Sequence, residues 1–473
     1  GAENTFYGTD AGRYTATGDY NTYIGHRAGE NSTVGSNVAV GAEALRNNTS
    51  SNGSNTAVGV LALTANSSGW HNTAVGHYAA KSVTSGRENT CLGQKAGELL
   101  TTSSWNTFVG VEAGSDVTTS SNGSNTAVGY HAFKEASGAV EYNTAIGNYA
   151  LQKPATAIEK CIGIGQRAGQ RLGANTNYAI GVDAMGEYIS SGGITGSSNL
   201  AIGEFALHYC RDGSHNTVVG HSAGKGSGSA IGDFNSFFGK DCGEVITSGY
   251  RNTGAGAHAL KACTTSANNA AFGYEALYTL TTGERNTAFG KGAGYTTNGQ
   301  NNVYIGMNAG ESHASGNNNI VIGYSAATSG NSSVNNEITL GNSDITKFRI
   351  PGINFELADN GGTPTNGHVL TMASGGATWA ASGAGTGQQF VNLESLGSAS
   401  NTGNNTFAGY NSGIALNSAD HSTFFGYSAG KAALNAGNNS FFGSNSGLLA
   451  TGGDNSGFGQ GTLETITSAT SNV

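Results

Sequence analysis

The chain has 473 residues, of which 77 are glycine and only 3 proline, with 11% charged residues and a formal net charge of −9. Such a composition excludes the ordinary balance of a soluble globular enzyme, and the missing every-third-residue glycine and scarce proline exclude collagen. The acidic balance, with a pI near 5.6, provides no basic stripe for phosphates, so no nucleic-acid partner is expected; no apolar run approaches the roughly 20 residues that span a bilayer, so no membrane insertion is expected.

From the first residues a single phrase recurs. Its anchor is the glycine that ends strings such as Asn55-Thr56-Ala57-Val58-Gly59, Asn72-Thr73-Ala74-Val75-Gly76 and Asn143-Thr144-Ala145-Ile146-Gly147. The anchors run from Gly8, Gly25 and Gly41 through Gly323 to Gly341, mostly 16 to 19 residues apart, with one excursion of 22 between Gly181 and Gly203. Four residues before the anchor stands Asn in 18 of 20 cases (Cys161 and Glu337 being the exceptions), and three residues after it Ala in 18 of 20, with Cys242 and Asp344 as exceptions. A disordered Gly/Ser/Thr/Asn tract has no physical reason to hold apolar residues at one phase, so the period predicts a solenoid in which stacked turns bury what one turn cannot.

Thr-x-(Val/Ile) reads as a short strand. The large residue just before the anchor, such as Val58, Val75, Leu92 or Ile146, is expected to point inward, while Ala57, Ala74, Phe108, Phe237 and Tyr304, two before it, are expected to form a second face against identical neighbours. The anchor glycine is expected to supply a positive φ or a close backbone approach, the Ala to fit where a neighbouring backbone leaves little room, and the Asn residues to tolerate a left-handed corner and bond to one another as a ladder. The Ser/Thr/Asn/Gly-rich stretch after the Ala, as in Thr49-Ser50-Ser51-Asn52-Gly53-Ser54, reads as an exposed loop that absorbs insertions.

These patterns predict an all-β chain: an elongated β-solenoid (β-roll or β-helix) of about 17-residue turns. The first repeat block covers 1–340, a non-repeat β linker or neck 341–397 and a second, truncated block 398–473. The neck holds Ile350-Pro351-Gly352-Ile353, Gly367-His368-Val369-Leu370 and Ala377-Thr378-Trp379-Ala380; the second block has anchors Gly409, Gly426, Gly443 and Gly459. The chain begins inside a repeat at Gly1-Ala2-Glu3 and ends within a turn at Val473, so further sequence is expected on both sides.

No catalytic, cofactor-binding or metal-binding residues are predicted, and the receptor-binding residues are unknown. Asp10, Asp183, Asp233 and Asp241 recur near anchors without pairing at matching phase, which weighs against the two carboxylates of a glycan-cleaving spike. His208, His215 and His221 read as surface loop histidines, and the Gly163-Ile164-Gly165-Gln166-Arg167-Ala168-Gly169 string as repeat units without the βαβ setting of a dinucleotide site. Five cysteines without paired spacing disfavour a disulfide framework; Cys91 and Cys242 read as small packed residues. One Thr per turn is a poor match to the flat array of an ice-binding face. Trp70, Trp105, Tyr142, Tyr188 and Tyr250 in variable loops suit either sugar stacking or loop anchoring.

The Asn-Thr-Ala-(Val/Ile)-Gly-x-x-Ala-(Leu/Gly) wording, which covers nearly the whole chain, resembles repeats of bacteriophage tail fibre proteins and, more distantly, the head repeats of trimeric autotransporter adhesins. Ile350-Pro351-Gly352-Ile353 with Gly367-His368-Val369-Leu370 and Thr378-Trp379 is similar to a linker common in phage fibres. The resemblance implies a parallel homotrimer, extracellular and part of a virion: a non-enzymatic rigid spacer and adsorption rod that carries no cofactor. Its implied partners are further copies of itself, other tail or baseplate proteins, and a host surface glycan or protein. A bacterial cell-surface trimeric adhesin is the alternative reading, and a glycan depolymerase tailspike a more distant one.

Overall fold

A computed structural model of the chain describes all residues except 1, 50–51, 119–122, 137, 139, 187–192, 210, 228–230, 331, 351–354, 359–367, 374–375, 382–405, 409–411, 413–420, 433–437, 452, 464 and 467–473. It divides into two compact units, Gly1–Asp344 and Ile345–Val473. The first is a β-solenoid whose twenty three-residue strands, from Thr5–Tyr7 to Ile338–Leu340, form one parallel sheet. Equivalent residues of successive turns pair directly: Thr56, Ala57 and Val58 stand opposite Thr73, Ala74 and Val75, which stand opposite Thr90, Cys91 and Leu92. The all-β solenoid expected from the 17-residue period is what the chain forms.

Which residue faces inward differs from the sequence reading. Tyr23, Ala57, Ala74, Cys91 and Phe108, the middle residues of their strands, have no exposed surface, whereas Val75, Ile146 and Phe289, just before their anchors, are 38%, 39% and 60% exposed. A pleated strand of three residues sends its middle side chain one way and both flanks the other. Here the middle one points in, so the Ala and aromatic residues expected to form an outer face make the core column, and Val58, Val75, Leu92 and Ile146 stand outside beside the threonines. Apolar size misled, because the interior is narrow enough for alanine to be the commonest strand residue in it.

A second wall makes it narrow. The backbone after each anchor bonds to the next turn, as in Gly12 N–H to Ala28 O (2.9 Å), Leu45 N–H to Ala62 O (2.9 Å) and Leu63 N–H to Ala79 O (3.1 Å). Its residues alternate into left-handed geometry, with φ of 54° at Arg27, 55° at Glu43 and 47° at Leu45. This wall therefore carries a hydrogen-bond ladder without extended strands. It also corrects the exposed-loop reading: Val83, Leu100 and Val117, seven residues past their anchors, are fully buried and form a further core column.

Room inside is shared within each turn. Where the strand position is aromatic, the residue six later is glycine: Tyr23 with Gly29, Phe108 with Gly114, Phe237 with Gly243, Tyr304 with Gly310. A Cβ on Gly29 would lie 2.6 Å from the Tyr23 ring, and one on Gly114 2.5 Å from the Phe108 ring. Where the strand position is Ala39, Ala57, Ala127 or Ala145, the later position holds Leu45, Leu63, Phe133 or Leu151, all fully buried. In these turns one large side chain fills the section, as close packing demands.

The anchor glycine answers to both expected demands. Gly41 has φ +131°, and a Cβ there would lie 2.6 Å from the carbonyl oxygen of Gly59. The asparagine ladder also forms: Asn72 N–H donates to Asn55 Oδ1 (2.9 Å), Asn89 N–H to Asn72 Oδ1 (3.0 Å), and Asn89 Nδ2 to Asn72 Oδ1 and Ser103 O (3.1 and 3.0 Å). The left-handed residue at this corner is the one before the Asn, such as His71 or Trp105, and not the Asn itself.

In the second unit, Lys347–Ile350 runs antiparallel to Phe355–Ala358, which pairs in parallel with Gly376–Ala381, itself antiparallel to His368–Ala373. A second parallel column follows from Thr406–Ala408, Thr423–Phe425, Ser440–Phe442 and Ser456–Phe458. Phe424 and Phe441 are its buried middle residues, and outside them Phe425, Phe442 and Phe458 stack at 5.2 and 5.1 Å. Pro351, Gly352, Ile353, Gly367 and Gly409 lie outside the described residues.

Candidate interaction surfaces

The sheet's outer face is the first candidate. Thr56, Thr73, Thr90 and Thr107 stand in register on it, and one residue column away run Ile24, Val75, Ile146, Phe238, Phe272, Phe289, Ile305 and Ile322, all exposed. Phe272 and Phe289 lie ring to ring at 5.9 Å. Exposed apolar patches of this continuity mark interaction sites.

The second candidate is the corner just before the asparagine ladder. Tyr20, Trp105, Tyr142 and Phe234 occupy the same left-handed position of their turns, and Trp70 and Tyr250 the position before it. Of the loop aromatics singled out from the sequence, Trp70, Trp105, Tyr142 and Tyr250 thus share one edge of the solenoid, and Tyr188 lies outside the described residues. At one stretch of this edge Arg87 sits between Trp70 and Trp105, 5.3 and 5.2 Å from the ring centres, and Trp105 Nε1 donates to Glu88 at 3.0 Å. At another, His215 stacks on Phe234 at 5.0 Å and Arg251 lies over Tyr250 at 5.6 Å. Phe234 and Arg251 were missed because they carry no local motif; aligning the turns on their anchors brings them to one phase.

The polar residues of the first unit pair within and between its turns. Arg167 Nε donates to Asp183 at 2.6 Å, Asp10 meets Arg13 at 3.4 Å, and Asp233 accepts the Ser214 N–H at 2.8 Å. Asp241 lies 3.4 Å from His258 and 3.9 Å from His221. The three histidines singled out are not brought together: His208 is buried, contrary to the surface reading, with Nδ1 2.9 Å from Asp183 O, while His215 belongs to the aromatic corner and His221 to the second wall. No group of three or more His, Cys, Asp or Glu side chains among the described residues is arranged to hold a metal ion. One acidic pair at matching phase went unnoticed in the sequence: Glu141 and Glu159 face each other across a parallel bridge between consecutive turns.

Cys91, Cys161, Cys242 and Cys263 are free and buried. Burial pushes the Cys91 and Cys242 thiols up to about 12 and that of Cys263 up to about 11, so they serve as packing and not as nucleophiles. The Gly163–Gly169 string is one strand, Ile162–Ile164, and the turn after it; Leu151 of the preceding turn packs into the space its Gly163 and Gly169 leave. Among the described residues no helix is long and apolar enough to cross a membrane. Compared with known proteins, the chain matches no family model, no curated protein and no solved structure.

Proposed function

We propose that the chain is the shaft of a virion fibre, most simply a phage tail fibre: a structural rod that spaces and presents adsorption surfaces and does no chemistry. The observation that carries this reading is the outward stripe along the sheet, mostly Val, Ile and Phe, with Leu92 and the small Ala255 at the same position of their turns. Twenty strands spaced about 4.8 Å make a face on the order of 95 Å long, and a strand of three residues at about 3.3 Å each gives it an area on the order of 900 Å². That is the size one partner contributes to a standard stable interface, roughly 800 Å². The occupant we assign to it is another copy of the chain in parallel, because a partner with the same period meets every turn with the same complementary residues. The resemblance of the repeat wording to tail-fibre repeats supports the virion setting, and the adhesin and depolymerase readings stand behind it.

The purified chain tests this. Light scattering with size-exclusion chromatography is expected to give three times the 47.6 kDa chain mass, and Ile146→Lys with Phe289→Lys to give the single-chain mass with the far-UV circular dichroism retained. A trimer that survives both lysines, or a wild-type monomer at micromolar concentration, overturns the assembly. Labelling of a phage particle by antibody to the purified chain supports the virion assignment, and labelling of a bacterial envelope instead overturns it.

A further inference from the structure

We infer that the notch formed by Gly232, Asp233, Phe234, Tyr250 and Arg251 is a saccharide-binding subsite, which takes a pyranose ring of an oligosaccharide. This deepens the adsorption reading and rests on it only for where the glycan comes from. The notch, of about 240 Å³, opens between two consecutive turns on the aromatic corner. Gly232 lines it without a side chain. Phe234 is 53% exposed and Tyr250 41%. One face of Phe234 is covered by His215 of the preceding turn, their planes only 7° apart, so its other face is turned toward the following turn, where the notch lies.

The polar groups are what separate this notch from ordinary loop packing. Asp233 and Arg251 line it together yet form no ion pair with each other; their link is backbone, Arg251 N–H to Asp233 O at 3.0 Å. The Arg251 guanidinium rests over the Tyr250 ring, leaving its in-plane N–H donors directed away from the stack. Asp233 uses Oδ1 for the Ser214 N–H and keeps further acceptor capacity. Unneutralised donors and acceptors beside exposed aromatic faces in a concave site match a polyol with one apolar C–H face. The Trp70–Trp105 stretch is the internal contrast: there Arg87 fills the gap between the rings and Glu88 takes the indole N–H, so the same column is already satisfied by its own side chains.

Saturation-transfer difference NMR on the full chain tests this with a panel of methyl glycosides and di- to tetrasaccharides of glucose, galactose, N-acetylglucosamine and rhamnose. At least one member is expected to bind, with Phe234→Ala and Arg251→Ala each weakening it by about tenfold and Trp105→Ala leaving it unchanged. Because Phe234 and Arg251 are on the surface, unchanged thermal melting of both variants is the folding control. No binding across the panel, or binding that Phe234→Ala and Arg251→Ala leave intact, overturns the subsite. Saccharide binding by a chain that labels no particle would keep the subsite and remove the adsorption reading.

Discussion

Tyr304 Oη lies 2.6 Å from His313 Nδ1, inside the solenoid and nine residues along the same turn. Tyr23 donates to Ser32 Oγ at 2.8 Å across the same nine-residue interval. Where the strand residue is Phe108 or Phe237, the ninth residue on is Val117 or Ile246. A buried hydroxyl is thus given a polar partner and a buried phenyl an apolar one. Tyr304→Phe is expected to leave the His313 ring nitrogen without that partner and to lower stability by about 1 to 3 kcal/mol. Chemical denaturation of the single variant and of Tyr304→Phe with His313→Val checks this; the double variant should recover a large part of the loss.

Phe108 and Gly114 divide one space between them. Phe108→Ala should remove about 3 to 5 kcal/mol of stability. Phe108→Ala with Gly114→Leu should regain a sizeable part, because Leu45 and Leu63 occupy the same turn position with φ of 47° and 50° opposite Ala39 and Ala57. Gly114→Leu alone should destabilise more than either. Thermal melts of the three variants decide it.

The asparagine ladder is interrupted at Cys161, which receives no side-chain amide of its own to pass on: its N–H donates to Asn143 Oδ1 at 3.0 Å, but it offers no Oδ1 to Asn177. Cys161→Asn is therefore expected to raise the melting midpoint. Asn72→Ala, in the unbroken part, should cost about 1 to 3 kcal/mol by stranding the Asn89 N–H. If the two substitutions shift the midpoint in the same direction, the ladder is not what stabilises this corner.

The thiols should report on the integrity of the stack. With Cys91 and Cys242 held up to about 12 and Cys263 up to about 11 by burial, the folded chain at pH 8 should leave these three unlabelled by a thiol reagent over hours. Denaturant should make them reactive, and mass spectrometry of the labelled peptides distinguishes the sites.

The Lys134 ammonium, hydrogen-bonded to Glu112, together with the charge of His131, holds the Glu112 carboxyl below its ordinary value against the opposing effect of partial burial. A lowered folded-state pKa stabilises the fold fully above the ordinary value of 4.5, and that contribution is lost as pH falls below it through the folded value. Glu112→Gln should therefore flatten the fall in melting temperature on the acid side of 4.5 and leave the curve above pH 6 parallel to that of wild type. A variant curve that parallels the wild type throughout would dismiss the link.

The coil, its period and its ladder were legible because each is a demand on residue type: only Gly fits at Gly41 against the Gly59 carbonyl, and a side-chain amide can both give and accept along a column. The facing of the strand was not legible from residue type. Val58 is more apolar than Ala57, and in a wide core it would be the inner residue; here the second wall sets the width. That wall was itself hidden, since Arg27, Glu43 and Tyr78 share a position but not a residue type, and their ladder involves backbone alone. The notch at Phe234 and Arg251 was hidden for another reason. Its two groups, Gly232 to Phe234 and Tyr250 to Arg251, are 16 to 19 residues apart in chain order and meet only through the stacking.

The place a side chain would take on the anchor glycines from Gly8 to Gly306 is filled by the carbonyl of the following turn. A substitution there is consequently felt by two turns at once, whereas copying or deleting a complete turn leaves every such junction as it was. The solenoid is thus stiff toward change of its letters and permissive toward change of its number of words, and its length is the property that heredity can alter most readily.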